Sequence, residues 1–98
     1  MHRDLKPENL LFKYKDSYST LQIVDYGLAS FSDRTPYIFP KCGTPGFVAP
    51  EIANLSDKLS KYSEVCDVFS IGCIFHILLM GESIFPGKKF NEVLKKNK

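Results

Sequence analysis

The 98-residue sequence predicts an α+β fold, mainly α, on three observations. Two short apolar runs near the start, 10–12 and 21–24, have the length of strands and flank the polar, turn-prone stretch KYKDSYST. A long apolar run, Val65 to Met80, ends at Gly81 and has the length of a helix. Between these, from Gly27 to Pro50, the chain is punctuated by Gly and Pro and keeps no sustained period. The length allows one domain at most.

Taken in order, Leu10-Leu11-Phe12 and Leu21-Gln22-Ile23-Val24 read as the two strands of a hairpin, each about as long as a buried strand. The 27–50 stretch is long for a structureless connection, and such loops are usually functional or disordered. A short helix is expected to start near Pro50-Glu51, because Pro suits the first helical turn. Residues 54–62 form a polar connection. A long helix then runs from about Ser63 to Met80 with Gly81 as its cap. Apolar on nearly every face, it reads as a buried helix that needs cover on all sides. So few residues cannot supply that cover, so exposed apolar patches are expected. A last helix begins at Phe90.

Composition narrows the function classes. With 44% hydrophobic and 24% charged residues, the chain is unlike an intrinsically disordered one. Thirteen basic and eleven acidic residues give a formal charge of +2, and only the tail GKKFNEVLKKNK is noticeably basic. Nucleic-acid binding calls for a denser basic stripe interleaved with aromatics, so no nucleic-acid partner is expected and the tail reads as a solvated helix face. Cys42, Cys66 and Cys73 are odd in number and lack CxxC spacing, which suits reduced thiols inside a cell, cytoplasmic or nuclear. The start has no apolar signal region, and Val65–Met80 is interrupted by Asp67, Ser70 and His76 and falls short of a span, so no membrane partner is expected.

The polar residues near the start carry the chemistry. Singly, Asp4 suits a turn cap, Lys6 a surface charge and Asn9 a partner for loop backbone. Together they form a pattern: His-Arg-Asp-Leu at 2–5, Lys6 two positions after the Asp, and Asn9 five after it. Sixteen residues beyond Asn9, a strand-like run ends in Asp25-Tyr26-Gly27, and Ala49-Pro50-Glu51 follows the loop. These are the catalytic-loop, metal-binding and loop-end signatures of protein kinases, in the right order. The chain therefore resembles part of a eukaryotic protein kinase over nearly all its residues. HRDLKPEN and GTPGFVAPE resemble the Ser/Thr kinases rather than the Tyr kinases, chiefly through Lys6 and Thr44. GTPGFVAPE is also similar to the calcium/calmodulin-dependent group.

That resemblance implies ATP-dependent phosphoryl transfer to Ser/Thr hydroxyls of a protein substrate, with Mg²⁺ as the metal. Catalysis of this kind is mostly positioning and electrostatic stabilisation. Asp4 would orient the substrate hydroxyl and accept its proton, and Lys6 would offset charge on the transferring phosphate. Asn9 and Asp25 would supply oxygens to Mg²⁺, so that Lys6, Asn9 and Asp25 form the nucleotide side of the site. Thr44 would link the substrate loop to Asp4 and Lys6, and Glu8 matches a position that favours basic residues upstream of the acceptor.

The same resemblance assigns structural and regulatory roles. His2 and Tyr26 would stack in the hydrophobic spine, with Gly27 completing the motif, and Asp67 would anchor the catalytic-loop backbone. Glu51 would pair with an Arg outside this sequence. Arg3 would meet a phosphorylated loop residue; Thr35 and Tyr37 are the nearby acceptors, and the alternative is a loop active without phosphorylation. Two positions depart from the family pattern: Tyr26 stands for the usual Phe and Phe69 for the usual Trp.

In family terms, residues 1–98 correspond to a partial large lobe, from the catalytic loop to the start of the helix after the long buried helix. It comprises a short β-hairpin, the activation loop and that helix. No G-x-G-x-x-G or V-A-I-K-like segment occurs, so the small lobe is expected to be absent and this chain alone inactive. An activating kinase or a calmodulin-type regulator would act through segments not present here. The alternative is a pseudokinase-like or decoy binding module.

Overall fold

The computed structural model describes residues 1–57, 59–85 and 90–97. Strand β1 (Leu10–Phe12) pairs antiparallel with β2 (Leu21–Ile23), with Leu10 opposite Ile23 and Phe12 opposite Leu21. The ladder continues into the connection, where Lys13 N donates to Thr20 O at 3.0 Å. Thr20 then closes the turn: its Oγ1 donates to Ser17 O at 2.7 Å and accepts from Tyr14 N at 3.1 Å. A 3-10 turn, Pro7–Asn9, leads into β1, with Pro at its start where no N–H is needed.

Helix α1 (Pro50–Ala53) starts at Pro50, as the sequence suggests. Helix α2 (Val65–Met80) begins two residues later than Ser63, whose Oγ instead accepts from the Val65 N–H at 3.3 Å. Gly81 ends it in the left-handed conformation (φ 75°), donating its N–H to Ile77 O at 2.8 Å. Helix α3 (Phe90–Asn97) starts at the expected residue. No helix among the described residues is long and apolar enough to cross a membrane.

The core lies where the end of the 27–50 loop, α1 and the start of α2 meet. Tyr37, Val48, Ala49, Ile52, Ala53, Tyr62 and Cys66 form it, with Met1, Leu55, Phe69 and Leu94 packed against it. The exposed apolar patches expected of so short a chain are found on α2, whereas the expected burial of the hairpin strands needs correction. Helix α2 buries only Cys66, Ser70, Cys73 and Ile74, one stripe flanked by the half-buried Phe69 and Ile77, while Val68, Ile71, Phe75, Leu78 and Leu79 are exposed. The hairpin strands are largely exposed rather than buried. In both cases the apolar surface outruns what so few residues can cover.

Candidate functional site

The segment His2–Asn9 is held in place by α2. Asp67, in the first turn of that helix, accepts the His2 N–H at 2.7 Å and the Arg3 N–H at 2.9 Å on its two carboxylate oxygens. Gathering two successive N–H groups onto one carboxylate goes with Arg3's positive φ of 72°, an uncommon conformation for a residue with a side chain. The His2 ring pins the other side of the segment. Its Nδ1 accepts from Asp4 N at 3.1 Å, which leaves Nε2–H to donate to Val24 O at 2.9 Å and fixes the tautomer.

Asp4, Lys6 and Thr44 then converge. The Thr44 hydroxyl donates to Asp4 Oδ1 at 2.6 Å and accepts from Lys6 Nζ at 3.1 Å. Lys6 Nζ also lies 3.8 Å from Asp4 Oδ2, with both side chains partly exposed. Asn9 is buried, and its Nδ2 donates to Asp4 O at 2.8 Å. That bond commits the amide nitrogen inward and turns Oδ1 the other way. Val24 N donates to Asn9 O at 2.9 Å, so the strand pairing sets Val24 against Asn9, and Asp25 follows directly in the chain. Asp25 is exposed, adopts φ 62°, and accepts the Gly27 N–H on Oδ1 at 3.2 Å.

The donor set of Asn9 and Asp25 fits Mg²⁺: one carboxylate and one neutral amide oxygen, hard ligands that leave room for waters and phosphate oxygens. Among the described residues, no group of three or more His, Cys, Asp and Glu forms a self-sufficient metal site.

The remaining sequence candidates fall around this cluster. Tyr26 meets the His2 ring edge-on, with centroids 5.3 Å apart, and its exposed hydroxyl donates to Ile23 O at 3.0 Å. Glu8 stands exposed in the 3-10 turn and Glu51 exposed in the first turn of α1. Arg3 is buried, with Nε on Leu28 O at 2.7 Å and Nη1 on Phe39 O at 2.7 Å and on the Tyr62 hydroxyl at 2.8 Å. Tyr37 is only 3% exposed; its hydroxyl donates to Ser32 O at 2.7 Å and accepts from Tyr62 N at 3.3 Å. It serves as a core side chain, so of the two nearby acceptors only Thr35 is partly open to solvent.

Sequence reasoning passed over three contributors. Tyr62 receives Arg3 and donates to Pro40 O at 2.7 Å; burial pushes its phenol up to about 12, against the opposing pull of Arg3. Ser70 Oγ donates to Phe47 O at 2.7 Å, tying α2 to the loop that carries Thr44. Asn97 bonds the same loop from α3. The available signals were weak ones: a Ser breaking an apolar run, and an Asn, a poor helix former, in a helical last turn. Beside them Gly43 (φ 118°) lets the loop close on Arg3, since a Cβ there would sit 3.1 Å from Val48 Cγ2 and 3.3 Å from Arg3 O.

Comparison with known proteins follows the same residues. The family model described as "Protein kinase domain" matches residues 1–98. The chain is 43% identical over 97 residues to "Probable serine/threonine-protein kinase 2" of Plasmodium falciparum (isolate K1 / Thailand), covering 99% of this chain and 18% of that protein. It is 44% identical over 96 residues to "Calcium-dependent protein kinase 5" of Plasmodium falciparum (isolate 3D7), covering 98% of this chain and 16% of that protein. The chain thus spans less than a fifth of the length of either relative.

Proposed function

The chain belongs to the protein kinase family, and from that premise we propose that the protein carrying these residues transfers a phosphoryl group from ATP to serine or threonine hydroxyls of a protein substrate. The observation that carries this is the Asp4–Thr44–Lys6 cluster. Thr44 occupies Asp4 Oδ1 and leaves Oδ2 to orient the substrate hydroxyl and take its proton. Lys6, held by Thr44 and beside that same carboxylate, carries the positive charge that offsets the charge on the transferring phosphate.

Asn9 and Asp25 are the residues that would hold Mg²⁺, which when bound neutralises charge on the nucleotide phosphates. The chain's own part is to place them: Asn9 is oriented by its bond to Asp4 O, and Asp25 is carried there by β2. His2 and Asp67 hold the backbone from which Asp4 projects. The relative named as calcium-dependent supports calcium control of this protein too, exerted through segments other than those described.

Asp4→Asn in the full-length protein tests the assignment. It keeps the shape and removes the proton acceptor, so kcat for peptide phosphorylation should fall by about 10² to 10⁴. The KM for ATP should stay within about twofold, since uniform binding is untouched. A kcat within a few-fold of wild type would sink the assignment.

A further inference from the structure

The turn at 44–48 is gripped from two sides. Thr44 reaches Asp4 and Lys6 with its side chain, while its carbonyl accepts the N–H groups of both Phe47 and Val48 at 3.0 Å. The backbone on the other side is taken by Asn97, in the last turn of α3. Asn97 Oδ1 accepts the Gly46 N–H at 2.7 Å, and Asn97 Nδ2 donates to Val48 O at 2.8 Å. The partners fix the amide's orientation, because a backbone N–H needs the carbonyl oxygen and a backbone carbonyl needs the NH₂ group.

Asn97 is 2% exposed, although its neighbours Lys95 and Lys96 are exposed. A buried amide is costly unless both its ends are paired, and Asn lowers helix propensity, so neither burial nor helix formation accounts for this residue. Pairing with the turn does. Helix α3 also lies directly under that turn: a Cβ at Gly46 (φ 96°) would stand 3.4 Å from Val93 Cγ1. Gly46 and Val48 are buried, whereas Thr44 and Pro45 stay partly open.

We propose that Asn97 is a positioning residue for the protein substrate, making α3 set the placement of the 44–48 turn relative to Asp4. The inference rests on the kinase assignment above and adds to it the element that controls the peptide side of the site. Its grip is on main-chain atoms alone. Helix α3 therefore holds the turn by its backbone, while Thr44 ties the turn's side-chain face to Asp4 and Lys6.

The test uses the full-length protein with Asn97→Ala and Asn97→Asp, assayed against a peptide substrate and ATP. Asn97→Ala removes both bonds. Asn97→Asp keeps the volume but sets an oxygen against Val48 O, so a cavity effect would spare it. Both variants should raise the peptide KM about tenfold while the KM for ATP stays within about twofold. Hydrogen exchange should lose protection at the Gly46 amide in Asn97→Ala. An active wild type with unchanged peptide KM in both variants overturns this inference alone. So do peptide and ATP KM values that rise together, as a general loosening of the fold would produce, which would make Asn97 purely structural. Wild-type protein that transfers no phosphate overturns the kinase assignment and this inference with it.

Discussion

Arg3 buries its guanidinium against neutral acceptors, the carbonyls of Leu28 and Phe39 and the hydroxyl of Tyr62, and the Tyr37 ring lies 5.4 Å from it. A buried charge needs such partners, and here the loop itself supplies them. If these bonds replace the ordering that a phosphate brings elsewhere through an arginine, phosphorylation of the loop is dispensable. In the full-length protein, Thr35→Ala should leave kcat/KM within about twofold of wild type. Tyr62→Phe should lower both activity and stability, by about 1–3 kcal/mol for the latter, because Arg3 Nη1 and the Pro40 carbonyl each lose a partner. Mass-spectrometric mapping that finds Thr35 fully phosphorylated in active protein, with Thr35→Ala inactive, would reject this account. None of these partners was legible in the sequence. Arg3 meets main-chain oxygens of a loop without periodicity, and a carbonyl has no residue type to read. Asp4, Lys6, Asn9 and Asp25 were legible because their spacing and side-chain chemistry are written in the residues themselves.

Helix α2 shows what periodicity can and cannot tell. Its extent and its Gly81 end were readable, because an apolar run of helical length followed by Gly has one physical solution. Its burial was not, because an evenly apolar helix carries no stripe to say which face is covered. The covered face is the one with Cys66, Ser70, Cys73 and Ile74, and it has a consequence for pH. Burial pushes the Cys66 thiol from 9.0 up to about 12, with nearby Asp67 adding to the rise, and burial also raises Cys73 and Cys42. Below about pH 9 these thiols are protonated in folded and unfolded chains alike, so their contribution is constant. Above it the unfolded chain loses protons that the folded chain keeps, and stability falls as pH climbs from about 9 toward about 12. Urea midpoints in reducing buffer should be level from about pH 7.5 to 8.5 and drop by about pH 10. Cys66→Ser, which does not titrate there, should flatten the drop. A wild-type midpoint that is level through about pH 10 would contradict the assignment.

The molecule as a whole leaves a large apolar face in water. Its radius of gyration of 14.1 Å exceeds the roughly 13 Å of a compact domain of this length. The excess reflects elements that stand out from the core instead of wrapping it. Phe75 is 60% exposed and Leu78 76%, and with Val68, Ile71 and Leu79 they line the open side of α2. Burying a side chain of this kind is worth about 1.5–3 kcal/mol, so several on one helix supply enough to drive association. Contiguous apolar surface of this extent marks an interaction site or an aggregation liability. Expressed as these 98 residues alone, the chain should therefore self-associate at micromolar concentration and enhance the fluorescence of an apolar dye. The double variant Phe75→Lys, Leu78→Glu should shift it toward monomer in sedimentation velocity while leaving helix content by circular dichroism unchanged, because both residues point away from the core. The Asp67 bonds to His2 and Arg3 lie in the first turn of the helix, about two turns or more from Phe75 and Leu78, and should survive, so His2 should keep a fixed tautomer by nitrogen NMR. A wild-type polypeptide that sediments as a monomer without binding the dye would show that this face is covered in solution by a rearrangement of the chain itself.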